Sequence, residues 1–337
     1  MEVFWLRLFY GIAFLVSQII CGPDEHDVCE TSLQYEFGSA TEADRASGLA
    51  FDSTGQHLYL AGATSGAMFD DDVGGMDPIV AKLTIENNEV VGIAWGWQPR
   101  TPSDDEALAL CPAEEGEDAV YVAGWAGTDN DAWVAKIVHD ADQTYGGSKE
   151  WGVSYGNSGE DMAVGINIDD SGDLLVCGHT NSDTFGTHEG KADAWAAKLD
   201  ASDGSIIWST QFGTASDDLA MGCTIDENGD IYVVGYTEGN LESTSAGGDD
   251  LFVAKLAGAD GARRWALQAG TAQDDRAVAV VYDEENTALN VVGLTRGALY
   301  GDNADNRRDL WALRVGADGF VRSSFQLGGA PGGGDLG

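Results

Sequence analysis

Positive charge is the scarcest commodity in this sequence. Lys and Arg together number 17 against 57 Asp and Glu, for a formal net charge of −40. Phosphate backbones are bound by Lys and Arg, so nucleic acid is excluded as a partner. Histidine is also rare: His26, His57, His139, His179 and His188 are scattered, with no H-x-x-x-H spacing. The chain has no C-x-x-C, no G-x-S-x-G nucleophile turn and no phosphate-binding glycine loop. These absences argue against thiol, zinc, serine-hydrolase and nucleotide chemistry, and the chain reads as a protein without catalysis of its own. No window outside the N-terminus carries a helical stripe of apolar residues. Only 6 prolines but 46 glycines suit a chain with many turns and little disorder.

What the sequence does contain is repetition. "DAWVAKI" (131–137), "DAWAAKL" (193–199) and "DLFVAKL" (250–256) are variants of one phrase, with looser copies "DPIVAKL" (77–83) and "DLWALRV" (309–315). A second phrase centres on Gly62, Gly124, Gly178, Gly235 and Gly293, as in "LYLAGAT" and "IYVVGYT". A third sets Asp44, Asp105, Asp161, Asp218 and Asp275 two residues before Ala. A fourth is a strand-like piece ending in Gly, as in "TQFG" and "FQLG". All keep a step of about 57 residues, giving five complete copies and the start of a sixth. Within each copy, short runs rich in Val, Ile, Tyr and Trp alternate with Gly/Asp/Asn clusters such as "DENG", the pattern of strands and tight turns. Four strands per repeat predict an all-β chain: a β-propeller of four-stranded blades, five complete, a sixth begun, and so part of a larger propeller if more repeats exist. A parallel β-helix has shorter coils, and a sandwich would not repeat so regularly.

The run W-x-x-Q-F-G-T-x-x-x-D-x-A, then Y-V-V-G-Y-T, then D-x-F-V-A-K-L, resembles the SBBP β-propeller repeat over roughly residues 33–329. The resemblance implies blades of a propeller, an extracellular or surface setting and no general enzymatic activity. The second repeat departs most, with "ALCPA" in its first strand and a connecting loop cut to "AGTDN".

Side chains alternate faces along a strand, so Trp133, Ala135 and Ile137 point one way and Val134 and Lys136 the other. A lysine packed between blades needs a carboxylate, because an unpaired buried charge is costly. The expected partners of Lys82, Lys136, Lys198, Lys255 and Arg314 are the D-x-A acids Asp44, Asp105, Asp161, Asp218 and Asp275 of their own or an adjacent repeat, as blade-to-blade ion pairs that fix register. Five near-identical copies argue for architecture, since a catalytic site needs unique, tuned groups.

The N-terminus is different in kind. An apolar run from Leu8 to Ile20 is too short for a comfortable membrane span. Residues 1–22 read as a secretory signal or, uncleaved, as a membrane anchor; 23–32 form a leader and 330–337 a Gly-rich tail. Membrane contact is expected only if that segment is retained. Cys111, Cys177 and Cys223 occupy strand positions filled elsewhere by Ala, Ile or Val, and read as small core residues.

Variable loops between the second and third strands of each repeat are the places to look for binding. One of them, "FDDDVGGMD", offers Asp70, Asp71, Asp72 and Asp77 as oxygen ligands for Ca²⁺, the one cofactor the sequence suggests. The resulting expectation is a secreted or cell-surface scaffold that binds protein or carbohydrate through blade-rim loops. The alternative is a secreted propeller enzyme, a hydrolase or lyase with its site in the central channel. That reading needs polar residues found in one repeat only; Trp97, Arg100 and His179 are the oddities.

Overall fold

A computed structural model describes residues 43–69, 75–303 and 307–328, with the backbone of three N-terminal strands. Those strands, β1 (Val3–Arg7), β2 (Leu15–Ile20) and β3 (Glu30–Ser32), form a small antiparallel sheet. Otherwise the signal or anchor, the leader and the Gly-rich tail expected from the sequence lie outside the described residues. Among the described residues there is no helix.

The chain divides into two compact units, Met1–Ser154 and Tyr155–Gly337. The first holds blade 1, made of β4 (Asp44–Phe51), β5 (His57–Thr64), β6 (Asp77–Glu86) and β7 (Glu89–Trp97). It also holds blade 2, made of β8 (Glu106–Pro112), β9 (Ala119–Ala126), β10 (Asp131–His139) and β11 (Gly147–Tyr155), whose last residue is the first of the other unit. The second unit holds the remaining three. Blade 3 comprises β12 (Asp161–Ile168), β13 (Leu174–Thr180), β14 (Asp193–Leu199) and β15 (Ile206–Phe212). Blade 4 comprises β16 (Asp218–Ile225), β17 (Ile231–Thr237), β18 (Asp250–Leu256) and β19 (Arg263–Ala269). Blade 5 comprises β20 (Asp275–Asp283), β21 (Ala288–Thr295), β22 (Asp309–Gly316) and β23 (Val321–Leu327). Each is a four-stranded sheet in which neighbouring strands follow one another in sequence, the blade of a β-propeller.

Blades stack through the first strand of the next: β8 on β4 and β5 in unit 1, β16 on β12 and β13, and β20 on β16 and β17 in unit 2. The alternation read from "DAWVAKI" holds. Trp133, Ala135 and Ile137 join Tyr59, Ala61 and Val80 of blade 1 in one core. Between blades 4 and 5, Tyr232, Val234, Leu251 and Val253 meet Leu289, Val291, Trp311 and Leu313. Each such side chain, fully buried, contributes roughly 1.5–3 kcal/mol. On blade 5 the positions matching Val234 and Leu251 are Val292 and Leu310, which are 47% and 50% exposed.

The D-x-A phrase now has a structural meaning. The register slips by one residue just after the Ala in every first strand, between Ala46 and Gly48, Ala107 and Ala109, Ala163 and Gly165, Ala220 and Gly222, and Ala277 and Ala279. A bulge bends the strand, and the small residue after it lets the next blade come close. A Cβ on Gly48 would lie 3.3 Å from the Ala109 backbone.

At Gly165 the neighbours are two sulfurs. Cys177 of β13 and Cys223 of β16 form a disulfide that joins blades 3 and 4 across 46 residues. The reading of both as plain core residues is corrected here: each does fill an Ala- or Ile-type position, but blade stacking brings the two together. Cys111 is half-buried in β8, its Sγ 3.5 Å from the Pro112 carbonyl.

Candidate functional site

Each blade carries a polar network at the end where its first strand begins. The antiparallel register sets three residues level: Asp161, Thr180 and Asp193 in blade 3, Asp218, Thr237 and Asp250 in blade 4, and Asp275, Thr295 and Asp309 in blade 5. The hydroxyls of Thr64, Thr180 and Thr295 donate to Asp44, Asp161 and Asp275. The second acid of each trio takes a glutamine from the fourth strand. Gln98, Gln211, Gln268 and Gln326 donate through Nε2 to Asp77, Asp193, Asp250 and Asp309 at 2.7–3.1 Å. The same Nε2 atoms donate to the carbonyls of Gly66, Ser182, Gly239 and Gly297, while Oε1 accepts the amides of Phe69, Phe185, Glu242 and Tyr300. The glutamine therefore clamps the long loop between the second and third strands by its backbone. Phe69, Phe185 and Leu241 anchor those loops by burying their side chains. In blade 2 the glutamine position is Ser154, and the loop shrinks to residues 127–130. Latch and long loop are present together or absent together.

Burial drives the Asp218 and Asp275 carboxyls upward in pKa; hydrogen bonds from Thr237 and Thr214, or Thr295 and Thr271, oppose this, and the nearby charges of Asp193 and Asp250 add to it. Gly213 and Gly270 make room for this crowding, since a Cβ there would sit 2.2 and 2.0 Å from Asp193 and Asp250 Oδ1. Replacing the buried Gln268 by Leu strands two loop amides and a carbonyl in blade 4. We expect a loss of about 1–3 kcal/mol in chemical denaturation and new cleavage by a Glu-specific protease after Glu238 or Glu242; an unchanged digestion pattern would refute the latch.

The lysines sit at the opposite end of the blades, and their partners differ from the expected ones. Lys198 binds Asp169 and Asp173 at 2.7 and 3.0 Å, and Lys255 binds Asp226 and Asp230 at 3.1 and 2.9 Å. Arg314 binds Asp283 at 2.6 Å, Lys136 binds Glu117 and Glu150, and Lys82 binds Asp118 of blade 2. These acids belong mostly to the turn between the first and second strands. The reason is register: Asp161 lies level with Asp193, and Lys198 is five residues further along that strand, about 16 Å away. In blades 3, 4 and 5 the turn acids Asp169, Asp226 and Asp283 do two jobs. Asp169 Oδ1 accepts the amides of Ser171 and Asp173, shaping the turn, while Oδ2 takes Lys198. Aromatic rings frame the cations, with Lys255 Nζ 4.8 Å from the Tyr232 ring and Lys82 Nζ 5.3 Å from that of Tyr59. Burial works against the charge on Lys198 and Lys255, yet hydrogen bonds to their carboxylates, and for Lys255 first of all to Tyr232, hold both above the ordinary lysine value. These are structural clamps.

Of the calcium candidates, Asp77 is buried and engaged on both oxygens, Oδ1 with Thr101 and Oδ2 with Gln98. Asp70, Asp71 and Asp72 lie outside the described residues. His179 is half-buried in β13, its Nδ1 3.2 Å from the Ala220 carbonyl, and desolvation lowers its pKa. Arg100 lies in the segment leading to β8.

Trp97 is the oddity that matters. It lines a recess of about 520 Å³ in unit 1. The recess exists because blade 2 has a longer connection between Lys136 and Trp151 than its counterparts between Lys198 and Trp208 or Lys255 and Trp265. That connection turns back against the end of β7: Gly96 N donates to the Tyr145 carbonyl at 2.8 Å, and Gly96 and Gly146 form a parallel bridge. Glycine is required at 96, where a Cβ would sit 2.4 Å from the Phe69 ring. Phe69 in turn meets Tyr145 edge-on at 5.9 Å, and Trp97 stacks on Trp133 at 6.1 Å. Tyr145 is left half exposed beside Gln143, Thr144 and Ser148. The signal for this site in the sequence was a length difference between repeats.

Residues 207–242 match the family model of the SBBP β-propeller repeat. Blade architecture and repeat together define a β-propeller protein built on SBBP-type repeats. No curated protein matches the chain in sequence. Among solved structures, the β-propeller domain of Cps50 (Swd1) from Myceliophteria thermophila is 10% identical, with a TM-score of 0.50 over 96% of this chain and 89% of that one. The periplasmic gluconolactonase PpgL of Pseudomonas aeruginosa is 12% identical, with a TM-score of 0.50 over 93% of this chain and 81% of that one. At such identities the likeness is one of fold.

Proposed function

We propose that this protein is a secreted or cell-surface binding module, without catalysis of its own, that takes a carbohydrate ligand in the recess of unit 1. The observation that carries this reading is the recess itself. It is built by one connection that departs from the repeat, it has the volume of a small-ligand site, and it offers a half-exposed phenol ring among amides and hydroxyls. A sugar ring needs an aromatic surface for its C–H face and polar groups for its hydroxyls. The disulfide between blades 3 and 4 supports an oxidising compartment.

The test is a glycan array probed with the purified protein and with Tyr145→Ala. Retention of a defined group of glycans, weakened at least about tenfold in the variant, is the expected result. Failure to retain any glycan, or retention indifferent to Tyr145→Ala, would sink the reading.

A further inference from the structure

The charges around the recess narrow its ligand. In a chain with 57 acidic residues, no Asp or Glu is among the described residues that line it. Its one cation is Lys149. Lys82, Lys136, Lys191, Lys198 and Lys255 each hold at least one carboxylate within 3.1 Å. Lys149 is the remaining lysine of the sequence; it is exposed, and among the described residues no carboxylate reaches it. Its placement is built in. The stem lies over Gly152, where a Cβ would be 3.1 Å from Lys149 Cδ, and the corresponding positions in blades 3 and 4 are Ser209 and Ala266. The glycine opens the floor on which the lysine rests at the edge of the recess.

An ammonium kept free in so acidic a protein is available to a carboxylate from outside. Among the described residues the recess has one such cation, so one carboxylate is matched; a polyanion would meet the repulsion of the remaining surface. Beside it, Tyr145 offers its ring, and Gln143 and Ser148 offer an amide and a hydroxyl. We propose that the recess takes a saccharide bearing a single carboxylate, its ring against Tyr145 and its carboxylate on Lys149 Nζ. This rests on the binding reading above and specifies its ligand.

Calorimetric titration with two oligosaccharides that differ only at the terminal residue, glucuronic acid in one and glucose in the other, tests it on the full chain. The wild type should bind the acid at least about tenfold more tightly than the neutral sugar. Lys149→Gln, a change at an exposed side chain whose fold is checked by thermal melting, should bring the two to equal affinity while keeping the neutral sugar. Equal binding of both sugars by the wild type, or an acid preference that survives Lys149→Gln, overturns the carboxylate proposal and leaves the binding site standing. Binding of neither sugar overturns the proposal as well, and the glycan array then decides separately whether the recess binds other sugars.

Discussion

Removing the Cys177–Cys223 disulfide lowers stability by about 4 kcal/mol, the loop-closure value for a separation of 46 residues. For a unit of this size that is a fall of about 8–16 °C in melting temperature. Cys177→Ala with Cys223→Ala should show it directly, and a reducing agent should produce the same fall in the wild type. The loss acts through the unfolded chain, which regains the freedom the cross-link removed. It also acts at the junction of blades 3 and 4, where the sulfurs fill the space opened by Gly165. The informative quantity is the difference between wild type and double variant with and without reductant, because it isolates this bond from other cysteines. A double variant that melts with the wild type under oxidising conditions would show that no such bond forms in solution.

The second large effect is expected at Asp169. Its side chain is 7% exposed and its partner Lys198 15%. Asp169→Asn keeps an oxygen for the turn amides and removes the charge that Lys198 leans on. Breaking a buried pair costs roughly 3–5 kcal/mol, and the low end applies here because Asp173 still reaches the lysine. The cost depends on pH with a definite sign. Burial pushes the Asp169 carboxyl up, but hydrogen bonds from Lys198, Ser171 and Asp173 outweigh it and hold the pKa below the ordinary 3.8. A carboxylate depressed in the folded state contributes fully above its unfolded value and loses that contribution as pH falls through the folded one. Urea denaturation should therefore separate Asp169→Asn from the wild type by about 3 kcal/mol at pH 7, with the gap closing below about pH 4. A gap unchanged at pH 3 would contradict the ion pair.

These two cases mark where the sequence could be read and where it could not. The blades were legible because strands and turns are local: alternation in "DAWVAKI" and the Asn-Gly turn in "DENG" each follow from neighbouring residues. The cations at Lys198 and Lys255 were recognisable as needing acids. Their partners were not, because repeat spacing says which residues recur and not which end of a sheet each occupies. Antiparallel order puts Asp161 level with Asp193 and leaves Lys198 at the far end beside Asp169. The disulfide was hidden for a different reason. Cys177 and Cys223 occupy different places in their repeats and meet only when blade 4 lies on blade 3. The recess was missed: the signal available was extra chain before Trp151, but that Tyr145 comes to lie beside Phe69 depends on the glycines at 96 and 146.

The glutamine latch bears on how such a protein changes over generations. Gln98, Gln211, Gln268 and Gln326 grip their loops through main-chain amides and carbonyls alone. Every amino acid presents those groups, proline's missing amide apart. Most loop side chains are thereby released from any duty to the fold, and "NSDTFGTHEGKA" and "EGNLESTSAGGD" can hang from the same clamp with little in common. Apart from anchors such as Phe185 and Leu241 and tightly packed glycines such as Gly190, Gly239 and Gly247, mutations in these segments should carry little stability penalty, and a graft from one blade to another carries its surface chemistry with it. The repeat is conservative in its sheet and permissive at its rim, so new recognition surfaces can arise there by substitution while the blades stay unaltered.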